Sequence, residues 1–274
     1  GVEIIVIKTS GDKIQDAPLA KIGGKGLFVK EIEEGLIREE IDIAVHSMKD
    51  VPIKLPDGLA ISVITQRENP MDALISKGNI KLADLPKNAR VGTGSLRRTT
   101  QLLNYRPDLQ IVPMRGNIDT RVKNLDTEGL DAIILASAGL IRMGWKDKIT
   151  EIINPEILLP SVGQGAVGIE ARRFDVEVLQ AIVGLDHEET HLALEAERAF
   201  LRVLGGGCQV PIACYATLNE RNLNLKALVG SPDGKQILKS EKNGLSQNAE
   251  SIGNSLGKEL LKMGAGKILE EIYN

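Results

Sequence analysis

Short apolar runs of buried-strand length alternate with helix-like stretches through the first two-thirds of the chain, and this alternation limits the fold more than any other feature. The runs fall at residues 3–7, 41–45, 61–64, 73–76, 90–92, 110–114 and 132–136; helical patterns occupy 27–38, 96–104 and 118–125. Strand, helix and strand in repetition build βαβ units, so an α/β fold on mostly parallel sheets, covered on both faces, is expected. A chain of 274 residues is long enough for two or three compact domains.

After residue 184 the pattern changes. A helical segment at 190–203 runs into Gly205-Gly206-Gly207, and strand-like runs follow at 211–216, 223–229 and 235–241. The last two flank the turn signal Ser231-Pro232-Asp233-Gly234, and a helix at 248–263 stops at Gly264. Residues 185–274 therefore read as a C-terminal α+β domain. Pro160-Ser161-Val162-Gly163-Gln164-Gly165 reads as a crossing between domains, after which a strand at 167–171 returns to the first sheet. The expected division is a discontinuous first domain (1–65 and 166–184), a second domain (66–165) and the C-terminal domain. Two lobes joined by two crossings make a hinged cleft, a common place for a ligand.

Composition excludes several partners. The net charge of −3 has no long basic run behind it, and aromatics are only 3%, which disfavours nucleic acid and anionic membranes. No apolar stretch approaches the ~20 residues that span a bilayer, and residues 1–8 lack a signal-peptide layout. Two cysteines, Cys208 and Cys214, make neither a disulfide framework nor a four-cysteine zinc site, so a reducing, cytoplasmic setting is expected.

Any positive surface must be local, and the arginines supply one. Arg97 and Arg98 follow the run 90–92 across the turn Thr93-Gly94-Ser95; Arg115 directly follows 110–114, Arg121 lies on the next helix, and Arg142 comes after 132–136. If those strands are parallel, all five emerge at the carboxyl edge of one sheet, where open α/β folds bind ligands. Guanidinium groups gathered there suit a small polycarboxylate, each able to take a carboxylate bidentately. Asp50 and Lys49, in His46-Ser47-Met48-Lys49-Asp50, also sit after a strand; a lone aspartate there can cap a turn, and its coincidence with the arginine edge makes Asp50 a candidate catalytic group as well. An isolated cysteine is usually a small buried hydrophobe, but a glycine loop would expose the sulfur of Cys208, which is therefore also a candidate nucleophile or attachment point, whereas Cys214 inside a strand run reads as core.

Three motifs are set aside. His187-Glu188-Glu189-Thr190-His191 matches H-E-x-x-H, but Asp186 reads as an N-cap that puts His187 at a frayed first turn, with no third ligand nearby. Residues 163–168 match G-x-G-x-x-G, but a proline precedes them and a strand, not a helix, follows. The loop Gly23-Gly24-Lys25-Gly26 lacks P-loop spacing and reads as a mobile glycine loop.

In order along the chain stand PLAKIGGKGLF at 18–28, AVHSMKDVP at 44–52, GTGSLRR at 92–98, RGNIDTR at 115–121, PSVGQG at 160–165 and GGCQVP at 206–211. Together these blocks resemble the hydroxymethylbilane synthase (porphobilinogen deaminase) family over essentially the whole chain. The resemblance implies two lobes like type II periplasmic binding proteins and a third domain whose cysteine, Cys208, holds a dipyrromethane through a thioether. It implies a transferase of haem and porphyrin biosynthesis that adds four porphobilinogen molecules in turn, losing ammonia each time, and works as a monomer. Asp50 matches the catalytic carboxylate. Cys208, Lys49, Ser47, Thr93, Ser95, Arg97, Arg98 and Arg121 match cofactor binders. Arg115, Arg121, Arg142, Lys21, Phe28 and Gln164 match substrate binders, and the glycine loop at 23–28 matches a lid. The chemistry suits these residue types: loss of ammonia leaves a cationic azafulvene that a buried carboxylate can stabilise, and each pyrrole brings two carboxylates that need fixed cations.

Two departures accompany the resemblance. Family members usually begin with a further strand and a helix carrying an Arg-x-Ser-x-Leu-Ala-type motif, whereas Gly1 matches the second strand; without that segment the first sheet lacks a strand and one substrate arginine. Gly94 stands where a serine is common. Two rival readings remain: a non-catalytic solute-binding protein, which has no need of Cys208 or a third domain, and a zinc hydrolase at His187 and His191, indifferent to Asp50.

Overall fold

The computed structural model describes residues 1–9, 29–206 and 210–273. In chain order the first elements are α1 (Lys30–Ile37), β1 (Ile43–Ser47), β2 (Leu59–Ile64), β3 (Asp72–Ser76), β4 (Arg90–Gly92) and α2 (Leu96–Tyr105). Then come β5 (Gln110–Val112), α3 (Ile118–Thr127), β6 (Ala132–Ala136), α4 (Ser137–Arg142), β7 (Glu151–Ile152), β8 (Val167–Arg172) and α5 (Val176–Ile182). The last are α6 (Glu188–Val203), β9 (Ile212–Asn219), β10 (Asn222–Gly230), β11 (Ile237–Leu245), α7 (Ala249–Lys262) and α8 (Ala265–Tyr273). The chain divides into two compact units, Gly1–Arg67 with Ala166–His191, and Glu68–Gly165 with Leu192–Asn274.

In the first unit β8 lies between β1 and β2 and runs antiparallel to both. The returning strand therefore makes this sheet antiparallel where strand–helix alternation predicts a parallel one. Helix α1 follows from apolar residues at helical spacing: Leu36 is fully buried and, with Ile32, packs on Ala44, Leu59 and Ile41. Its C-terminal carbonyls need donors, and Arg172 Nη1 donates to Leu36 O (3.0 Å) and Ile41 O (2.8 Å), while Nη2 pairs with Asp175 (2.7 Å). Residues 3–7, expected as a strand, are not one; Val2, Ile4 and Val6 lie 83–88% exposed. An apolar run becomes a strand only when a partner takes up its backbone groups, and residues 3–7 pair with none of the three strands of this sheet.

The second unit holds a five-stranded sheet in the order β5-β4-β6-β3-β7. Only β4–β5 and β4–β6 are parallel; β3 runs antiparallel to β6 and β7, so this sheet is mixed rather than mostly parallel. Its faces are filled by Leu74, Val91, Leu102 and Ile134 on one side and Ile75, Leu130, Ile133 and Leu140 on the other. The C-terminal part is an antiparallel meander, β9-β10-β11, with Phe200, Leu256, Leu260 and Leu269 packed from α6, α7 and α8 onto Cys214, Leu223, Leu225 and Val229. Cys214 is fully buried, as a core position in β9. The predicted turn forms, with Gly234 N donating to Ser231 O (2.9 Å), and it meets α2 through Thr100 Oγ1 to Ser231 O (2.8 Å) and Asn104 Nδ2 to Gly234 O (3.0 Å).

One buried carboxylate joins the crossing segment to this C-terminal part. Glu197, with no exposed surface, accepts from Gly163 N (2.7 Å) and Ala216 N (2.9 Å). Glu197→Ala would strand both amides in a dry site at ~1–3 kcal/mol each, so a loss of about 3 kcal/mol in urea unfolding is expected. A loss below ~1 kcal/mol would show that the amides find other acceptors.

Candidate active site

Because β5, β4 and β6 are parallel neighbours, their carboxyl ends share one edge of the second unit's sheet. Helices α2, α3 and α4 all begin after those ends, and neither Ser95 nor Asn117 caps its helix with a side chain. First-turn amides of α2 and α3 are thereby available to an anion. Arg97 and Arg98 emerge on α2, Arg115 follows β5, Arg121 lies on α3 and Arg142 ends α4, so the strands deliver these five arginines as the sequence pattern requires.

Strand direction adds a residue that the sequence reading overlooks. Because β3 is reversed, its first residue, Asp72, lies at the same edge, opposite Ala136 at the end of β6. Asp72 is fully buried beneath two guanidinium groups. Arg97 Nη1 donates to Oδ2 (2.7 Å) and Nη2 to Oδ1 (3.2 Å); Arg98 donates to Oδ1 from Nε (2.9 Å) and Nη2 (2.7 Å). Arg97 also donates to Leu159 O (2.7 Å) and Arg98 to Ile134 O (3.0 Å). Gln164, itself buried, donates to Asp72 Oδ1 (3.0 Å) and Pro70 O (2.6 Å). Burial pushes the Asp72 carboxyl up, but Arg97 and Arg98 outweigh it and hold the group at about 2. Two cations on one anion leave net positive charge in the interior, and the buried Arg97 Nε has no hydrogen-bond partner.

The other arginines are more open. Arg115 and Arg121 are half-buried and Arg142 is exposed; Arg121 Nε donates to Gly116 O (2.7 Å) and Arg142 Nη2 to Gly165 O (2.8 Å). Thr93 is buried and Ser95 half-buried, with Ser95 N donating to Thr93 Oγ1 (3.3 Å). At Gly94 a Cβ would stand 2.3 Å from Met114 O, so the glycine lets the β5 backbone close onto this turn.

In the first unit the turn after β1 carries Lys49 and Asp50, closed by Asp50 N to Ser47 O (2.9 Å). Ser47 and Lys49 are half-buried. Asp50 is exposed, which corrects the expectation of a buried carboxylate: the turn carries it clear of the β1 face. Lys21, Phe28, the loop at 23–28 and Cys208 lie outside the described residues.

The motifs set aside have ordinary partners. His187 Nδ1 lies 2.9 Å from Thr190 Oγ1 and accepts from Thr190 N (3.3 Å), so His187 caps α6, one residue later than expected. Asp186 instead accepts from Ile64 N (2.7 Å) and meets His191 Nδ1 (3.1 Å). Among the described residues no group of three His, Cys, Asp or Glu is placed to hold a metal ion. Residues 163–168 lead into strand β8, not a helix. No helix among them is long and apolar enough to cross a membrane.

Residues 1–180 match the family model for the porphobilinogen deaminase dipyromethane cofactor binding domain, and residues 191–262 match that for the porphobilinogen deaminase C-terminal domain. The chain belongs to the porphobilinogen deaminase family. It is 51% identical over 272 residues to the porphobilinogen deaminase of Syntrophobacter fumaroxidans, covering 99% of this chain and 88% of that one. It is 52% identical to that of Pelotomaculum thermopropionicum, covering 97% and 86%. Among solved structures it is similar to the periplasmic aliphatic sulphonate binding protein SsuA from Escherichia coli, with 18% identity, a TM-score of 0.38, and 62% and 56% of the two chains covered. Membership of the family makes the chain a transferase of tetrapyrrole biosynthesis that acts on porphobilinogen with a dipyrromethane cofactor.

Asp72 has a depressed pKa, so its contribution to stability is complete above the ordinary carboxylate value of ~3.9 and is lost only as pH falls through about 2. Asp72→Asn leaves two buried guanidinium groups uncompensated and should cost about 3–5 kcal/mol by urea unfolding at neutral pH. In the wild type, a carboxyl titration by NMR that places Asp72 at or above ~4 would contradict this charge balance.

Proposed function

We propose that this chain builds hydroxymethylbilane by adding four porphobilinogen molecules in turn, with Asp50 as catalytic carboxylate and Arg115, Arg121 and Arg142 binding substrate carboxylates. The observation that carries this reading is the match at 51% identity along 99% of the chain to a curated porphobilinogen deaminase. In each round the aminomethyl C–N bond of one unit breaks and a C–C bond to a ring carbon forms. The hydrogen of that ring carbon ends on the departing ammonia, so atoms and charge balance. Asp50 is exposed and reachable at its turn; it stabilises the cation left by ammonia and takes the ring proton. Arg115, Arg121 and Arg142 orient substrate through its acetate and propionate groups. Lys21, Phe28 and Gln164 complete the proposed substrate set.

A dipyrromethane suits the residues present: the unpartnered Arg97 Nε and the surplus positive charge over Asp72 answer its acidic side chains. Cys208 would hold it covalently, with Ser47, Lys49, Thr93, Ser95, Arg97, Arg98 and Arg121 around it, and when bound it supplies the carbon to which the first unit is joined. We place the enzyme in the cytoplasm as a monomer acting on a free small molecule rather than on nucleic acid.

Two measurements test this. Asp50→Asn should keep KM within about twofold and lower kcat by about 10²–10³-fold; near-normal turnover would remove Asp50 from the chemistry. Intact-mass spectrometry of protein from porphobilinogen-competent cells should show an adduct of two linked pyrroles, lost in Cys208→Ser. An unmodified wild-type mass, or an adduct that survives that substitution, would refute attachment at Cys208.

A further inference from the structure

The first unit buries three titratable groups that the reaction as described does not use. On the inward face of β1, Ala44 stands opposite Glu170 and His46 opposite Gly168, so His46 reaches diagonally to Glu170. His46 Nε2 lies 2.9 Å from Glu170 Oε2, the ring N–H donating to the carboxylate, and the two side chains are only 5% and 1% exposed. Gly168 leaves a notch that Met48 fills: a Cβ at Gly168 would stand 2.2 Å from Met48 Sδ, and Met48 is 2% exposed. Met48 N also donates to Ala166 O (3.0 Å). The strand end is thus tied to β8 on both sides of Ser47, the residue whose carbonyl closes the turn onto Asp50 N.

We infer that His46 and Glu170 are positioning residues that fix the turn carrying Asp50 by tying the end of β1 to β8. The inference rests on the reading of Asp50 as the catalytic carboxylate. Glu33, from α1, is the third member of the cluster. Its Oε1 and Glu170 Oε1 are both buried without a hydrogen-bond partner. Among the described residues, the charged groups that act on Glu33 are Glu170 from β8 and His46 from β1; β2, which also packs on α1, carries no titratable side chain. Burial first, and then the Glu170 charge, push the Glu33 carboxyl up, with His46 pulling the other way. Glu170 Oε2, not Glu33, is the carboxylate oxygen that meets the imidazole. Ordinary packing would also bury a histidine, but it would not need a buried carboxylate 2.9 Å from the ring at the end of the strand before Asp50.

Steady-state porphobilinogen consumption by the holoenzyme separates the two roles, using His46→Leu, His46→Gln, Glu170→Gln and Asp50→Asn with thermal melts alongside. His46→Leu should lower kcat about tenfold with KM within about twofold, and His46→Gln, which keeps a donor, should recover to within about threefold of wild type. Should His46→Leu fail to fold, Glu170→Gln carries the test: it keeps the shape, removes the charge, and should lower kcat about fivefold at unchanged KM. Wild-type kcat in either variant, or a rise in KM alone, while Asp50→Asn is inactive, would overturn this inference and leave the Asp50 reading standing. Full turnover in Asp50→Asn would instead overturn the reading on which it rests.

Discussion

The interaction on which the second unit depends is one carboxylate under two guanidinium groups. Charges as buried as Asp72, Arg97 and Arg98 each lose several kcal/mol of hydration, and the loss is recovered only where geometry and hydrogen bonding are nearly complete. Here both Asp72 oxygens are used, and further guanidinium protons go to the carbonyls of Leu159 and Ile134. The arrangement fixes more than a charge pair. It ties the first turn of α2 to the start of β3, to the centre of β6 and, through Gln164, to the crossing segment. The guanidinium groups thus have a single place to be before any ligand arrives, which is the condition for strong electrostatic binding without reorganisation.

That interaction was only half legible in the sequence. Apolar run length gave β4 and β6 their bounds and brought the arginines to the ends of parallel strands, because element type follows from periodicity and local turn chemistry. Strand direction does not. A run such as 72–76 is buried on both faces and reads the same whichever way it lies, so reversing β3 changes nothing local while moving Asp72 to the arginine edge. The available signal was an aspartate opening a run whose five residues are all buried; a charge there demands a partner. Glu33 and Glu170 escaped for the same reason. Each sits in an amphipathic or strand pattern where a glutamate normally faces water, and only packing shows that it does not. Residues 3–7 erred in the opposite sense, since apolar composition promised a strand but composition does not supply the partner that a strand's backbone groups need.

The two units carry opposite local surpluses. In the second, two cations share one carboxylate; in the first, one imidazole meets the Glu170 carboxylate, with the Glu33 carboxyl buried in the same cluster. A chain with a net charge of −3 and ordinary composition cannot hold a dianionic pyrrole by overall charge, so attraction must come from a place where cations outnumber anions and water is thin. Nor can an exposed aspartate serve a cation of brief lifetime unless its backbone is held still, because a side chain that must first find its orientation forfeits the advantage of proximity. On the role proposed for Asp50, the buried His46–Glu170 pair would stiffen the strand end and leave that carboxylate to charge that forms only in the transition state.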